Sequence, residues 1–440
     1  MDKLGVGTFI TSQSELTTDC LNVFQVPPVD ATLKEGKTVY YYPLNAISDS
    51  GPFEFIVPKD PDSWTALPLT RLEGELEISK RDASAWADTT DLVSVCNLFP
   101  QSIMKQCEVE LNGIQVCDLS SPTYAWKAYI EKHLTYTKDA KESHLLCELY
   151  LKDTEGKESL FATTTASWNQ RKNKLKNRKF NFSCIIHSDF FQSKTWLLPN
   201  NELKLKLIRN QDDFSLLGAT DMANKYKIGV KNLKLAIRRI KIDKAVDLAI
   251  EAKLENSPAI YEVTQSKIKT FLVPTGTKTI DFPSILQGNL PRHVIFGFLG
   301  AKSFNGAIDA NPFYFNHRNV NLFNLKINGS PVVPTPFTPD FAGDNYTREY
   351  RWFLDNVGIQ HENETNGITR TEWMTNSCFW PFDLTPDLCN GFHVHEGRQG
   401  NMDLSLSFSE ETTENLHMLV YGSFNSAIQI DKFRNVIVLD

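Results

Sequence analysis

The chain has 440 residues, room for two or three domains of ordinary size and for more than one buried core. Hydrophobic residues make up 41% and charged residues 22%, which excludes a wholly disordered chain. A net charge of −7, with both signs interleaved, repels polyanions and gives no support to nucleic-acid binding over the whole surface.

Residues 1–33 read as an arm: polar clusters, the pair Pro27–Pro28, and one apolar patch at Leu21, Val23, Phe24 and Val26, too small to build a core and suited to docking elsewhere. The opening residues lack the apolar run of a secretion signal, so the expectation is a soluble protein made inside a cell. From there short strands predominate, bounded by turn residues. Thr38–Tyr42 and Phe53–Val57 are β-rich and end at Pro43 and Pro58. In Leu72–Ile78 the apolar residues Leu72, Leu76 and Ile78 fall on alternate positions, as a strand with one wet face requires. Val109–Leu111 runs into Asn112-Gly113, a hairpin signal.

A helix near 122–137 interrupts the strands. Ser121 is placed to cap it and Pro122 suits its first position, with Trp126, Ile130 and Leu134 on one face. Strands resume at Phe180–Ile186, Leu203–Leu207 and Leu233–Ile237. A second helix, Asp243–Glu255, leads to Pro258, and strand patterns continue to the end.

The second half echoes the first. Glu110-Leu-Asn-Gly113 is matched by Lys326-Ile-Asn-Gly329, and Phe99 upstream of the first copy falls in register with Phe315 upstream of the second. The run Leu203, Leu205, Leu207 is echoed by Leu404, Leu406, Phe408, each preceded by an Asp-containing segment, Ser188–Phe191 and Pro381–Leu384. The shared order of these matches indicates a duplicated β-domain. The predicted fold is all-β: two tandem jelly-roll β-sandwiches with a few inserted helices, divided as residues 1–33, 34–255 and 256–440.

Catalytic signatures are sparse. There is no GxSxG elbow, no phosphate-binding Gly-rich loop, no HExxH, and the eight cysteines include no CxxC pair, so they read as reduced and mostly buried. His393 and His395 lie one residue apart on a presumed strand, in the manner of a cupin metal site, but Glu396 points to the opposite face and His417 sits in an acidic loop. Asp383 and Asp387 form a carboxylate pair of the kind glycosidases use across a cleft. The basic run Arg171–Lys179 carries six cations in nine positions with no aromatic residue interleaved; it reads as a solvated loop before the strand at Phe180, or as a local contact for phosphates. No stretch approaches the roughly 18–20 apolar residues of a membrane span. The sequence therefore assigns no catalytic, cofactor-binding or metal-ligating residue. A carbohydrate-active or cupin-like β-sandwich enzyme stands as the alternative to a structural protein.

Collinear segments across nearly the whole chain resemble the double jelly-roll major capsid proteins of Polinton (Maverick) elements and their adintovirus relatives. They are Ser14–Leu16 with Asn22–Pro28, Gly51–Pro58, Tyr124–Glu131, His187–Gln192 with Leu203–Asp212, Leu290–Phe298, Phe304–Gly306, Asn311–Phe313, Phe382–Asp387, Met402–Phe408, Leu419–Tyr421 and Ile428–Val436. Cys20 and the longer Asn390–Gly400 loop depart from the pattern. The resemblance implies a non-enzymatic shell subunit found in the virion and assembled inside the host cell. It implies a homotrimer forming pseudo-hexagonal capsomers of an icosahedral shell, with capsomer–capsomer contacts and a separate single jelly-roll penton protein. Direct nucleic-acid contact would be confined to Arg171–Lys179.

Overall fold

The computed structural model describes residues 30–48, 51–87, 90–117, 122–153, 165–358, 364–386, 388 and 395–439. The first strands in chain order are β1 (Leu33–Tyr41), β2 (Phe53–Val57), β3 (Trp64–Lys80), β4 (Ser94–Val95), β5 (Met104–Leu111), β6 (Ile114–Cys117), β7 (Lys179–Cys184), β8 (Leu203–Arg209), β9 (Leu216–Leu217) and β10 (Tyr226–Ile242). The second set comprises β11 (Ala259–Val273), β12 (Thr279–Asn289), β13 (His293–Gly300), β14 (Val320–Ile327), β15 (Ser330–Pro331), β16 (Phe379–Asp383), β17 (Gln399–Phe408), β18 (Leu416–Ile430) and β19 (Val436–Leu439). Helices of seven residues or more are α1 (Tyr124–Thr135), α2 (Ala166–Lys174), α3 (Lys244–Leu254), α4 (Thr347–Asn356) and α5 (Arg370–Asn376).

The strands pair in the same order twice. One sheet of the first sandwich runs β1-β10-β3-β7 and its second counterpart runs β11-β18-β13-β16; the facing sheets run β2-β8-β5-β6 and β12-β17-β14-β15. Every pairing between these strands is antiparallel. Connections that skip neighbours in this way are those of a jelly roll, and the fold is two of them in tandem. The two matched Asn-Gly pairs are the β5–β6 and β14–β15 turns. Asn112 and Gly113 have φ of 51° and 83°, Asn328 and Gly329 φ of 51° and 78°, the left-handed geometry that tight hairpins demand. The echoed leucine runs are β8 and β17, each central in its sheet.

Alternation decides which residues build the cores. Phe53, Phe55 and Val57 of β2, Leu203, Leu205 and Leu207 of β8, and Leu72, Leu76 and Ile78 of β3 are all buried in one cluster. Met402, Leu404, Leu406 and Phe408 of β17 meet Val294, Phe296 and Phe298 of β13 in the other. The outward positions differ in chemistry. On the first sandwich Lys206 and Lys204 of β8 stand opposite Glu108 and Glu110 of β5, with N–O separations of 2.9 and 4.0 Å. On the second, Ser405 and Ser407 of β17 stand opposite Asn324 and Leu322 of β14.

Several local expectations change. Ser121 lies outside the described residues, and Thr123 takes the N-cap position of α1. Leu33, at the end of the predicted arm, already belongs to β1; residues 1–29 lie outside the described residues. The basic run is not a loop throughout: Arg171–Lys174 close α2, and Arg171 is buried because its guanidinium meets Asp153 at 2.8 Å and the Val95 carbonyl at 2.8 Å. His417 is on β18 and not in a loop, stacked on Phe304 with ring centroids 3.9 Å apart. Helices α4 and α5 stand where only strands were expected.

Candidate functional site at the junction of the two rolls

The two cores are not separate. Ala125, Trp126, Tyr129, Ile130 and Leu134 of α1, contributed by the first half, pack in the cluster of the second. In return Tyr261, Val263, Ile428, Ile430 and Val436 pack in the cluster of the first. Helix α1 is the hinge pin of this exchange. The Trp126 indole donates to the Pro312 carbonyl at 3.0 Å and stacks on Phe304 with planes 2° apart. Tyr129 stacks on Phe313, ring centroids 4.5 Å apart. Beneath it Gly297 of β13 has no room for a side chain, since a Cβ there would lie 2.7 Å from the Phe315 ring. β18 is buried from Met418 to Ser423 without alternation because both of its faces are covered.

Along this junction runs a chain of buried polar groups. Lys127, fully buried, donates to Asp189 at 2.7 Å and lies 3.7 Å from Glu131, one helical turn on. Glu131 also meets His187 Nδ1 at 2.6 Å and accepts from the Tyr421 hydroxyl at 3.1 Å. Asp189 accepts from the Ser266 backbone N–H at 2.8 Å and from its hydroxyl at 3.1 Å. Four residues of the first half and two of the second are thereby tied together. Burial opposes the charge on Lys127, but Asp189 and Glu131 outweigh it and raise its pKa. Burial likewise opposes the Glu131 carboxylate, yet Lys127 and the hydrogen bond from His187 bring its pKa down to about 2. Burial raises Asp189 against the pull of Lys127, and lowers His187 with help from Lys132.

Further along, His133 bridges the Tyr150 and Ser377 hydroxyls at 2.8 Å each, and burial, then Lys141 and Lys152, hold its pKa well below the usual range. Lys141 is 5% exposed and donates to two carbonyls, His133 at 2.5 Å and Asn366 at 2.6 Å. Burial, then repulsion from Lys152, lowers its pKa to about 7. An unfolded lysine keeps its proton up to about pH 10.5. Between about 7 and that value the unfolded chain binds a proton that the folded chain has released, so stability rises with pH. The contribution amounts to at most about 1.4 kcal/mol per pH unit. Melting curves from pH 7 to 9 are expected to show this rise, and Lys141→Met to flatten it; an unchanged slope in the variant would remove Lys141 from the account.

Between the rolls opens a cleft of about 1240 Å³, walled by β3, the segment Ile185–Thr195, β11 and the end of β18. It holds Glu131, His187, Asp189 and Tyr421, with the Ser266 hydroxyl donating to Asp189. His393 and Asp387 lie outside the described residues. The His395 carbonyl accepts from Asn425 at 3.1 Å, Glu396 is exposed, and Asp383 binds Thr385 and stands 3.5 Å from His293. Among the described residues no group of three metal-ligating side chains converges, and no helix is long and apolar enough to cross a membrane. In the basic run Lys179 approaches Glu75 and Glu77 at 3.7 Å each, and Arg178 lies over the Trp86 ring, while Lys174 and Lys176 are exposed. Five of the six described cysteines are buried and Cys147 is exposed; Cys20 and Cys389 lie outside the described residues.

Solved structures that superpose on the chain include viral ones. A chain of the Sputnik virophage superposes with a TM-score of 0.63 at 11% identity, covering 97% of this chain and 92% of its own. A chain of the PBCV-1 virus capsid gives 0.59 at 10% identity, covering 94% and 98%. The mavirus major capsid protein gives 0.54 at 10% identity, covering 96% and 93%. The likeness is one of fold. An uncharacterized protein of Caenorhabditis elegans is 23% identical over 413 residues, 90% of this chain and 94% of that one. No known protein-family profile matches the chain.

Proposed function

We propose that this protein is a major capsid protein, a structural subunit with no catalytic role. The observation that carries the reading is the repeated strand order, two complete jelly rolls in one chain, in a fold shared end to end with double jelly-roll capsid subunits. Residues 33–255 and 256–440 act as the two domain units, β1 beginning at Leu33, and the residues before it as an arm. Three copies place six similar wedges around one axis and give a pseudo-hexagonal capsomer, the natural tile of an icosahedral shell. The sequence segments quoted above favour a Polinton or adintovirus-like element as its source, with a single jelly-roll protein closing the vertices and the virion as the protein's place. Any contact of Arg171–Lys179 with nucleic acid falls to Lys174 and Lys176, since Arg171 is spent on Asp153.

The experiment is a mass measurement by light scattering on the purified full chain, with electron microscopy of the same sample. The expected species has three times the 50.0 kDa of one chain and forms pseudo-hexagonal particles. A monodisperse monomer at micromolar concentration overturns the reading.

A further inference from the structure

The way the two rolls meet within one chain leaves two of their edges unmet. β11 leads the order β11-β18-β13-β16, and across the cleft it faces the segment Ile185–Thr195. That segment continues from β7, the last strand of the order β1-β10-β3-β7. The Ser266 N–H of β11 donates there to Asp189 at 2.8 Å, and the Ser266 hydroxyl does so at 3.1 Å. The leading edge of the second sheet is seated at the trailing edge of the first. β1 holds in the first sheet the place that β11 holds in the second, and β16 holds the place of β7. The two trailing edges are built alike, each braced by a helix. The Tyr124 hydroxyl of α1 accepts from the His187 N–H at 3.2 Å, and the Asn356 side chain of α4 accepts from the Asp383 N–H at 2.8 Å. A contact between two unlike edges can be repeated from copy to copy, and it closes into a ring when the rotation allows.

β1 carries the marks of an unfilled contact of this kind. β11 buries Tyr261, Val263, Ser266, Ile268 and Val273, whereas no residue of β1 is buried. β1 pairs with β10 alone, so its other edge is open among the described residues. Tyr40 stands level with Ala236 and Arg71 across the sheet and is 46% exposed, and Tyr42, two positions on, is 67% exposed. Lys234 lies over the Tyr40 ring at 4.3 Å. Arg71 donates to the Pro68 and Thr70 carbonyls, Arg238 lies against Gly36, and neither forms an ion pair among the described residues. Exposed tyrosines among arginines are the composition of a protein interface. Charge selects the occupant. Residues 33–255 carry 32 Lys and Arg against 30 Asp and Glu, while residues 256–440 carry 13 against 19. Two first rolls meeting at β1 would oppose like charges, and a second roll supplies the opposite sign.

We propose that the open edge and outer face of β1 dock on the β16 end of the second roll of a neighbouring copy, so that three chains close head to tail. The contact between chains then repeats the contact that β11 makes within one. This rests on the trimer proposed above and names the surfaces that form it. Light scattering on the unaltered full chain and on the full-length variant Tyr40→Asp with Tyr42→Asp tests it, with circular dichroism to show that the variant is folded. The association constant is expected to fall at least about 100-fold, read at micromolar concentration as a folded species with the mass of a single chain. A folded variant that keeps a trimeric mass overturns the docking surface and leaves the capsid reading standing. An unaltered chain that is a monomer overturns both, and a dimer or an open-ended polymer overturns the ring. If the variant does not fold, hydroxyl-radical footprinting of the unaltered trimer decides. Tyr40 and Tyr42 are expected to be oxidised several-fold more slowly than Phe433, which is 74% exposed in the single chain; oxidation at matching rates overturns the proposal.

Discussion

Lys127→Ala is expected to lower the unfolding free energy by about 3–5 kcal/mol, the cost of breaking a fully buried ion pair from one side. The ammonium is the only cation in direct contact with both Glu131 and Asp189 among the described residues. Removing it leaves two largely buried carboxylates side by side without their shared cation, which favours protonation of one of them. The loss is therefore expected to shrink at acidic pH, where that proton is readily supplied. Adding Asp189→Asn to Lys127→Met is expected to recover much of the stability, because a buried pair replaced as a unit is often tolerated. Denaturant titration reads both effects. A Lys127→Ala midpoint within experimental error of the unaltered protein would mean that the network carries no net energy.

The second large effect is expected at Trp126. Truncation to alanine empties a site that is 4% exposed and costs about 3–5 kcal/mol. It also leaves the Pro312 carbonyl without its donor and removes one of the two rings stacked on Phe304. The indole sits on a helix of the first half and in the core of the second, so its loss should show as broken cooperativity as well as lower stability. Two unfolding steps are expected in calorimetry where the unaltered chain gives one. A single transition shifted only in temperature would place the coupling elsewhere on α1.

The repeated architecture was legible because it rests on local signals. Alternation at β2, β8 and β17 and the two Asn-Gly turns need no knowledge of the partner strand to be read. Helices α4 and α5 left signals too: Tyr346, Tyr350 and Phe353 at helical spacing, and a capping box from Thr369 to Glu372. They were overshadowed by the strand patterns on either side. The junction network was not legible. Lys127 and Glu131 look like an ordinary exposed pair one turn apart, and only the arrival of Asp189, 62 positions later, makes them interior groups. Arg171 was hidden in the same way, since a run of cations reads as wet until Asp153 is known to meet it. Burial of charge depends on partners distant in sequence, which composition and periodicity do not encode.

The two facing Lys–Glu pairs of β8 and β5 are thinned on β17 and β14 to Asp403 opposite Lys326, and this gives the duplicated molecule unequal sides. At about 1 M salt the screening length falls to about 3 Å, enough to mute Lys204 and Glu110 while leaving the hydroxyls and amides around Ser405 indifferent. Ionic strength thus acts more strongly on one roll than on its twin. Whatever adheres to the more highly charged side is the more readily released by brine.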